Sequence, residues 1–407
     1  MGHVQDRWYR SKVDPATGKR VREKTELHGT GERYRVRYLD PAGRERSKSF
    51  PDKQKRAADN FLLAVENDKR EGRYLDSRGD RVLFRQQAEN WIKGQSDDPA
   101  TREVLRSRLD SKILPALGDL PLTKIRPSTI RDWLGEIEDQ AANYKVVLFS
   151  AVSGVLESAV DDRLIGTNPC KVSTIRRPTG GSGAVKEVWP EERVKAIRDG
   201  IVERWRIVVT LGAGCGLRQG ELLGLSPDDV DEQNMVVHVR RQLRTVGGVK
   251  VFAPPKGGKT RTVPLSAGLL DEIRWHLADY PAPVVTLPWR KSNGEPTTVR
   301  VLASGEHGRL YSGDLFNKTI WAGAFRRAGL KPAKQVDGMH ALRHFYASVL
   351  LAQGVSVKEL ATYLGHADAG FTLRVYTHLV PSSHERARLA VDSVFAPPGA
   401  ADGLGTA

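Results

Sequence analysis

The chain has 407 residues, 39% of them hydrophobic, and carries 64 Lys and Arg against 49 Asp and Glu, a net charge of +15. That length accommodates two or three domains with real cores, and the positive surplus favours a polyanionic partner. Only Cys170 and Cys215 are present, no run of about 18 apolar residues exists, and the polar N-terminus has no secretory h-region, so a disulfide framework, a cysteine zinc site, export and membrane insertion are all unexpected.

Residues 1–57 hold 16 Lys or Arg against 8 Asp or Glu, a net of +8 and more than half of the surplus. Arg33, Arg35 and Arg37 alternate with Tyr34, Val36 and Tyr38, the period-two pattern of a strand with one basic and one apolar face. Asp40-Pro41-Ala42-Gly43 is good turn chemistry. A two-residue loop there sets Arg37 opposite Arg46 and Arg35 opposite Lys48, all on one sheet face, where like charges repel unless a polyanion is present. Ala57, Phe61, Leu62 and Val65 recur at helical spacing within 53–71 and can back the apolar face. The expectation is a sheet-plus-helix module whose basic residues Arg33, Arg35, Arg37, Arg44, Arg46 and Lys48 enter a DNA groove. The alternative is a solvated charged hairpin.

Residues 72–80 lose periodicity and read as a linker. Helices are predicted over 82–93, 101–112, 128–138 and 144–161, closed by Leu164-Ile165-Gly166-Thr167-Asn168-Pro169. Arg102, Arg106 and Lys145 are candidates for phosphate contact, with plain surface solvation an equal reading. Residues 176–183, beginning Arg176-Arg177-Pro178, form a short, basic, flexible linker suited to spanning a duplex between two domains. Beyond it helices over 190–200, 205–212, 269–280 and 315–328 alternate with strands over 235–243, 249–252 and 261–264. Residues 281–313 give no readable pattern. Val391, Val394 and Phe395 form an isolated apolar trio before a Pro/Gly/Ala tail.

The informative stretch is His340-Ala341-Leu342-Arg343-His344. Leu342, Phe345, Val349 and Leu350 recur at helical spacing, so His340 and Arg343, three residues apart, project from neighbouring positions on one helix face. A second helix over 357–364 ends at Gly365, a C-cap that hands His366 to the turn beyond. Tyr376 follows ten residues later. A guanidinium matches phosphate oxygens, an imidazole donates or moves protons near neutral pH, and a phenol can attack phosphorus. These are parts for phosphoryl transfer, with no carboxylate cluster to hold a metal ion, so cationic side chains would neutralise the transferring phosphate alone. His340 and His344 have zinc-chelating spacing, but Arg343 and the surrounding cations argue against a dication. Gly212-Ala213-Gly214-Cys215-Gly216 suggests a dinucleotide loop only until Leu217, where glycine is required. Tyr346 and Tyr363 lie in amphipathic runs, where an aromatic is more often core.

These motifs, in this order, resemble the tyrosine recombinases, specifically the phage-type integrases. The residues that carry the resemblance are Gly216-Leu217-Arg218-Gln219-Gly220-Glu221-Leu222, Pro255-Lys256 before Thr260-Arg261-Thr262-Val263-Pro264-Leu265, His340-x-x-Arg343, Leu364-Gly365-His366 and Tyr376-Thr377-His378. Together they span roughly residues 80–380. The resemblance implies a multidomain fold. An N-terminal β-sheet-plus-helix arm-binding module (1–72) and an all-α core-binding domain (80–175) come first. A mainly α catalytic domain with a small antiparallel sheet, of the DNA breaking-rejoining type (184–395), and a flexible tail (396–407) follow. Phe345 beside His344, and Ala369-Gly370-Phe371 before Thr372, depart from the family pattern without touching a catalytic position.

The resemblance also implies roles. Arg218 and Arg343 clamp the non-bridging phosphate oxygens with Glu221 in support, His340 and His366 add hydrogen bonds, and Tyr376 attacks to leave a 3′-phosphotyrosyl link. Lys256, favoured over Lys259 by its position before Arg261, protonates the departing 5′-oxygen. One phosphoester replaces another, so no cofactor or metal is expected. The implied partners are double-stranded DNA with core-type and arm-type sites, a homotetramer on that DNA exchanging strands through a Holliday junction, a DNA-bending host factor and an excision factor, with no membrane. The implied setting is the cytoplasm and nucleoid of a bacterial host, and the C-terminal trio would pack on a neighbouring protomer. Three readings stand beside this one. The integrase of another mobile element has the same layout. The N-terminal module and two-linker layout argue against a type IB topoisomerase. The presence of every expected catalytic residue type argues against a non-catalytic DNA-binding protein.

Overall fold

The computed structural model of the chain describes residues 2–407 except 16–17, 42, 72–73, 75–79, 96–97, 182–187, 334–335, 367, 377–387, 389–390, 392–393 and 396–407. Most of the predicted 72–80 linker, the end of the 176–183 linker, Thr377, His378 and the C-terminal tail therefore lie outside the described residues. The chain forms two compact units, Met1–Asp97 with Val104–Ser182, and Asp98–Glu103 with Gly183–Ala407.

The first unit begins with strands β1 (His3–Asp6), β2 (Tyr9–Val13), β3 (Arg20–Lys24), β4 (Tyr34–Leu39) and β5 (Glu45–Phe50). An antiparallel sheet runs β1-β4-β5, and β2 pairs with β3 in a separate hairpin. As the alternation predicts, Tyr34, Val36 and Tyr38 are buried, and they pack with Ala58 and Val65 of α1 (Lys55–Arg70). The predicted hairpin register is corrected by one residue. Leu39 pairs with Glu45 and Tyr38 with Arg46, so the loop has three residues, 41–43. Asp40 accepts from the Gly43 N–H through its carbonyl and from the Arg44 N–H through its carboxylate, at 2.9 Å each. Gly43 takes φ +78°, the left-handed position that a three-residue hairpin loop demands. Because strand side chains alternate, the one-residue slip moves Arg46 and Lys48 to the other face. Arg35 and Arg37 oppose Ser49 and Ser47, while Lys48 and Arg46 oppose Val36 and Tyr38. The four cations do not share a face. A second correction concerns Tyr74 inside the expected linker, which is 5% exposed and packs edge-on against Tyr38.

The helical part of this unit comprises α2 (Phe84–Gln95), the portion of α3 (Pro99–Arg108) from Val104 onward, α4 (Leu114–Leu117), α5 (Pro127–Glu136) and α6 (Ala142–Asp161). The predicted helix over 101–112 is interrupted by a π-turn at Leu109–Ile113. Pro115 has no N–H to give the carbonyl one turn back, which breaks the regular ladder there. Trp133 Nε1–H donates to the Lys112 carbonyl beside the break, at 3.0 Å. Phe84, Ile113, Trp133 and Val152 are central to this core.

The second unit contains α7 (Glu191–Gly200), α8 (Arg206–Cys215), α9 (Gln219–Leu223), β6 (Val230–Asp231), β7 (Val236–Val239), β8 (Gln242–Val246), β9 (Val249–Ala253), β10 (Arg261–Pro264) and α10 (Ala267–Asp279). It continues with β11 (Val284–Pro288), β12 (Pro296–Arg300), α11 (Gly313–Phe316), α12 (Ala322–Arg327), α13 (His340–Ala352), α14 (Val357–Leu364) and α15 (Ala369–Tyr376). The single strand predicted over 235–243 is two strands. β7 joins β10 and β6, and β8 pairs with β9. The chain leaves one sheet for the other at Arg240-Arg241, where Arg241 forks onto buried Asp229. Residues 281–313, unreadable in sequence, hold the β11-β12 hairpin. The helix predicted over 315–328 is broken by a π-turn at Asn317–Trp321. α13 packs along α8 through Leu342, one of the fully buried residues of the core.

Candidate active site

The site is built on the ends of α8, α9 and α14 and on the inner face of α13. Arg218 is the N-cap of α9. Glu221, one turn on, accepts from the Arg218 backbone N–H at 2.9 Å and from Nη1 at 3.0 Å. The second partner of that carboxylate comes from β10. Arg261 donates through Nη1 and Nη2 to the two Glu221 oxygens at 2.9 and 2.6 Å, and through Nε to the Tyr363 carbonyl at 2.7 Å. Glu221 is 1% exposed. Burial, the largest single influence, would raise its carboxyl, but the Arg261 fork together with the Arg218 N–H and charge outweighs it and holds the group below the ordinary carboxylate range.

Arg343 is fully buried. Its Nη1 donates to the carbonyl of Gly216, the left-handed cap of α8, at 2.8 Å, and its Nη2 donates to the Leu364 carbonyl. Nη2 also lies 3.0 Å from His366 Nε2. Burial, with Arg218 and Arg261 close by, pushes the Arg343 pKa down to about 9, which leaves it charged at neutral pH. α14 ends as predicted on Gly365 at φ +63°. A side chain there would also collide with Arg261, whose Cδ would sit 2.9 Å from the added carbon. The turn sets His366 Nδ1 2.6 Å from the hydroxyl of buried Thr372. A guanidinium can only donate, so His366 Nε2 accepts and Nδ1–H donates to Thr372. Burial first, then the Arg343, Arg218 and Arg261 charges, lower the His366 pKa to about 4, so the ring is neutral.

Tyr376, at the end of α15, is 3% exposed, and its hydroxyl lies 2.8 Å from Nδ1 of His344. Burial raises the phenol to about 12, against the opposing pull of Arg343 and Arg218. His340, on the solvent side of α13, meets the His344 ring edge-on with centroids 4.8 Å apart. Tyr346 and Tyr363 pack in or against the hydrophobic core, as the amphipathic pattern predicts. Lys256 is exposed in a turn closed by the Gly258 N–H donating to the Pro255 carbonyl. It lines, with Arg218, Gln242, Arg244 and Arg290, a groove of about 660 Å³.

The structure thus brings Arg218, Arg343, His366 and Tyr376 together, keeps His340 at the rim, and puts Lys256 on a loop that shares a groove with Arg218. Sequence reasoning assigned no role to Arg261, His344 or Thr372. A signal existed for the first two. Arg261 is in phase with inward Val263 on its strand, and His344 is one and two turns from buried Ala347 and Leu351.

The cations expected to contact DNA outside the site divide by occupation. Arg33 is held by Asp6 and Asp52 and lies against Trp8, Tyr9 and Tyr34. Arg46 bonds Asp40, and Lys48 sits 4.6 Å from the Phe61 ring centre. Arg35 reaches Ser47, Arg37 pairs with Glu45, and Arg44 is exposed. Arg106 forks onto Glu89 and Lys145 bonds Glu138. Arg102, Arg176 and Arg177 are exposed.

A phage integrase family model matches residues 191–382, and a phage integrase N-terminal SAM-like domain model matches residues 83–137. A putative prophage phiRv2 integrase of Mycobacterium tuberculosis is 28% identical over 301 residues, 72% of this chain and 74% of the relative. In fold, the chain is similar to the Tn1549 transposon integrase solved with transposon right end DNA, at TM-score 0.63 and 18% identity, covering 77% of this chain and 99% of that one. It is also similar to the lambda integrase, solved as a tetramer bound to a Holliday junction, at TM-score 0.51 and 17% identity, covering 84% and 95%. Among the described residues no helix is long and apolar enough to cross a membrane.

Proposed function

The chain belongs to the phage integrase family and is a site-specific tyrosine recombinase, and from that premise we propose that it integrates and excises a phage-type mobile genome. The single observation that carries the reading is the convergence of Arg218, Arg343 and His366 beside a buried phenol within one unit. Three guanidiniums face one carboxylate there, Glu221. The surplus positive charge is suited to a phosphodiester, whose non-bridging oxygens would take the donors of Arg218 and Arg343. Neutral His366, in its fixed tautomer, accepts from Arg343 and so orients that guanidinium at the phosphate, and His340 hydrogen-bonds the developing charge from the rim. Tyr376 Oη forms a bond to phosphorus as the P–O5′ bond breaks, and Lys256, exposed on its turn, protonates the 5′-oxygen. A 5′-hydroxyl from a second duplex reverses the step, joining new partners through a four-way junction on a homotetramer.

Residues 1–72 serve as the arm-binding module, with Arg35, Arg37 and Arg44 on or beside the face away from α1. Residues 80–175 and 184–395 are the core-binding and catalytic domains, with Arg102, Arg106, Lys145, Arg176 and Arg177 as backbone-phosphate contacts. Val391, Val394 and Phe395, all exposed, pack on a neighbouring protomer, and deleting 388–407 weakens assembly on DNA. The bacterial cytoplasm, with host bending and excision factors, is the setting. The test is to incubate the chain with paired attachment-site DNA from its source genome. Recombinant joints are expected; relaxation of supercoiled DNA without joints would favour a topoisomerase instead.

A further inference from the structure

We infer that His344 is a further catalytic residue, the group that takes the proton of the Tyr376 phenol during strand cleavage. The inference rests on the recombinase reading above. His344 Nδ1 lies 2.8 Å from the Tyr376 hydroxyl, within direct proton-transfer range, and the two groups are 7% and 3% exposed. Among the described residues, the other nearby imidazoles are differently placed. His366 has both nitrogens engaged, Nε2 by Arg343 and Nδ1 by Thr372. His340 stands at the exposed rim, edge-on to His344. Burial also holds the phenol high, at about 12, against the pull of Arg343 and Arg218. At pH 7 that corresponds to roughly one phenolate in 10⁵. A neutral imidazole in contact removes the need for prior ionisation.

The step balances as follows in atoms and charge. The phenol O–H bond breaks and its proton passes to the Nδ1 lone pair. The phenolic oxygen bonds to phosphorus, the P–O5′ bond breaks, and the 5′-oxygen takes a proton from Lys256. His344 ends as imidazolium and Lys256 as amine, and both are reset when a 5′-hydroxyl attacks the phosphotyrosine. Among the described residues, the titratable groups that face His344 include Tyr376, His340 and His366, with Arg343 the adjacent fixed charge.

The test compares the full chain with His344→Asn on a nicked suicide attachment site, reading adduct formation in a single turnover. The Asn amide occupies the Nδ1 position and keeps the hydrogen bond, yet cannot take a proton. Expected are DNA affinity within about twofold of the parent and adduct formation slowed at least ~100-fold. Placing 3,5-difluorotyrosine, a more acidic phenol, at position 376 of the variant restores much of the loss. A variant cleaving within about threefold of the parent, or one that the acidic phenol does not restore, overturns the inference. The unmutated chain gives an independent answer should the variant fold poorly. With His344 as base the rate levels off above the imidazole pKa; a rate still climbing about tenfold per pH unit through pH 9 means that pre-formed phenolate attacks, and His344 is then no base. If the unmutated chain forms no adduct at all, the recombinase reading itself has failed, and this inference with it.

Discussion

Arg261 closes on Glu221 through both terminal nitrogens, at 2.9 and 2.6 Å, and the same carboxylate fixes Arg218 through its backbone and side chain. The strand that follows the Lys256 turn is thereby tied to the guanidinium at the head of α9 and, through the Tyr363 carbonyl, to the helix that presents His366. Arg261→Ala leaves a buried carboxylate short of a partner and is expected to cost about 3–5 kcal/mol of stability. Arg261→Lys, which cannot fork, recovers only part of it. The Glu221 carboxyl is held below its ordinary range, so its contribution is complete above that range and drains away as the pH falls through it. Melting curves between pH 7 and 3 should show a steep acid limb in the parent and a shallower one in Glu221→Gln.

His366 titrates near 4 in the folded chain instead of its usual 6.5. The folded state therefore binds fewer protons than the unfolded one between those values, and stability present above pH 6.5 is lost as the pH drops toward 4. Protonation would set two cations, Arg343 and His366, 3.0 Å apart. His366→Gln, whose amide oxygen can still accept from Arg343, should flatten that part of the melting profile.

Thr372 fixes the His366 tautomer from a fully buried position. Thr372→Val keeps the volume but leaves the Nδ1–H without an acceptor. Adduct formation is expected to slow about 10–100-fold with DNA affinity unchanged, because an orienting hydrogen bond is lost. Thr372→Ser should retain most of the rate.

The hairpin register separates cations that sequence reasoning grouped. Arg35→Ala with Arg37→Ala should weaken arm-type DNA binding and reduce the salt dependence of log K by about 2, since each phosphate contact contributes about 0.9. Lys48→Ala, on the face that packs on α1, should lower the melting temperature and leave the salt slope unchanged. Salt titrations of the three proteins against one arm-site duplex decide between these outcomes.

What the sequence made legible, and what it did not, follows from the range of the interactions. The helices of the site, the cap at Gly365 and the placement of Arg218, Arg343, His366 and Tyr376 rest on local periodicity and on motif order, and they were expected. The β4-β5 register was not, because the length of a loop containing Gly43 is set by how Asp40 bonds across it. Tyr74 looked like linker because a lone aromatic has no period, yet Tyr38 needed a cover. The salt bridge from Arg218 to Glu221 three residues on was visible in spacing. The stronger grip of Arg261, forty residues away, was not. The contact between His344 and Tyr376 spans thirty-two residues and depends on α15 folding back on α14.

The most direct measurement traps the cleaved intermediate on a nicked suicide attachment site, digests the complex, and locates the DNA-linked peptide by mass spectrometry. A 3′-phosphate ester on Tyr376, absent in a Tyr376→Phe protein that still binds the same DNA, is the predicted result. An adduct on another residue, or one that persists in Tyr376→Phe, contradicts the account.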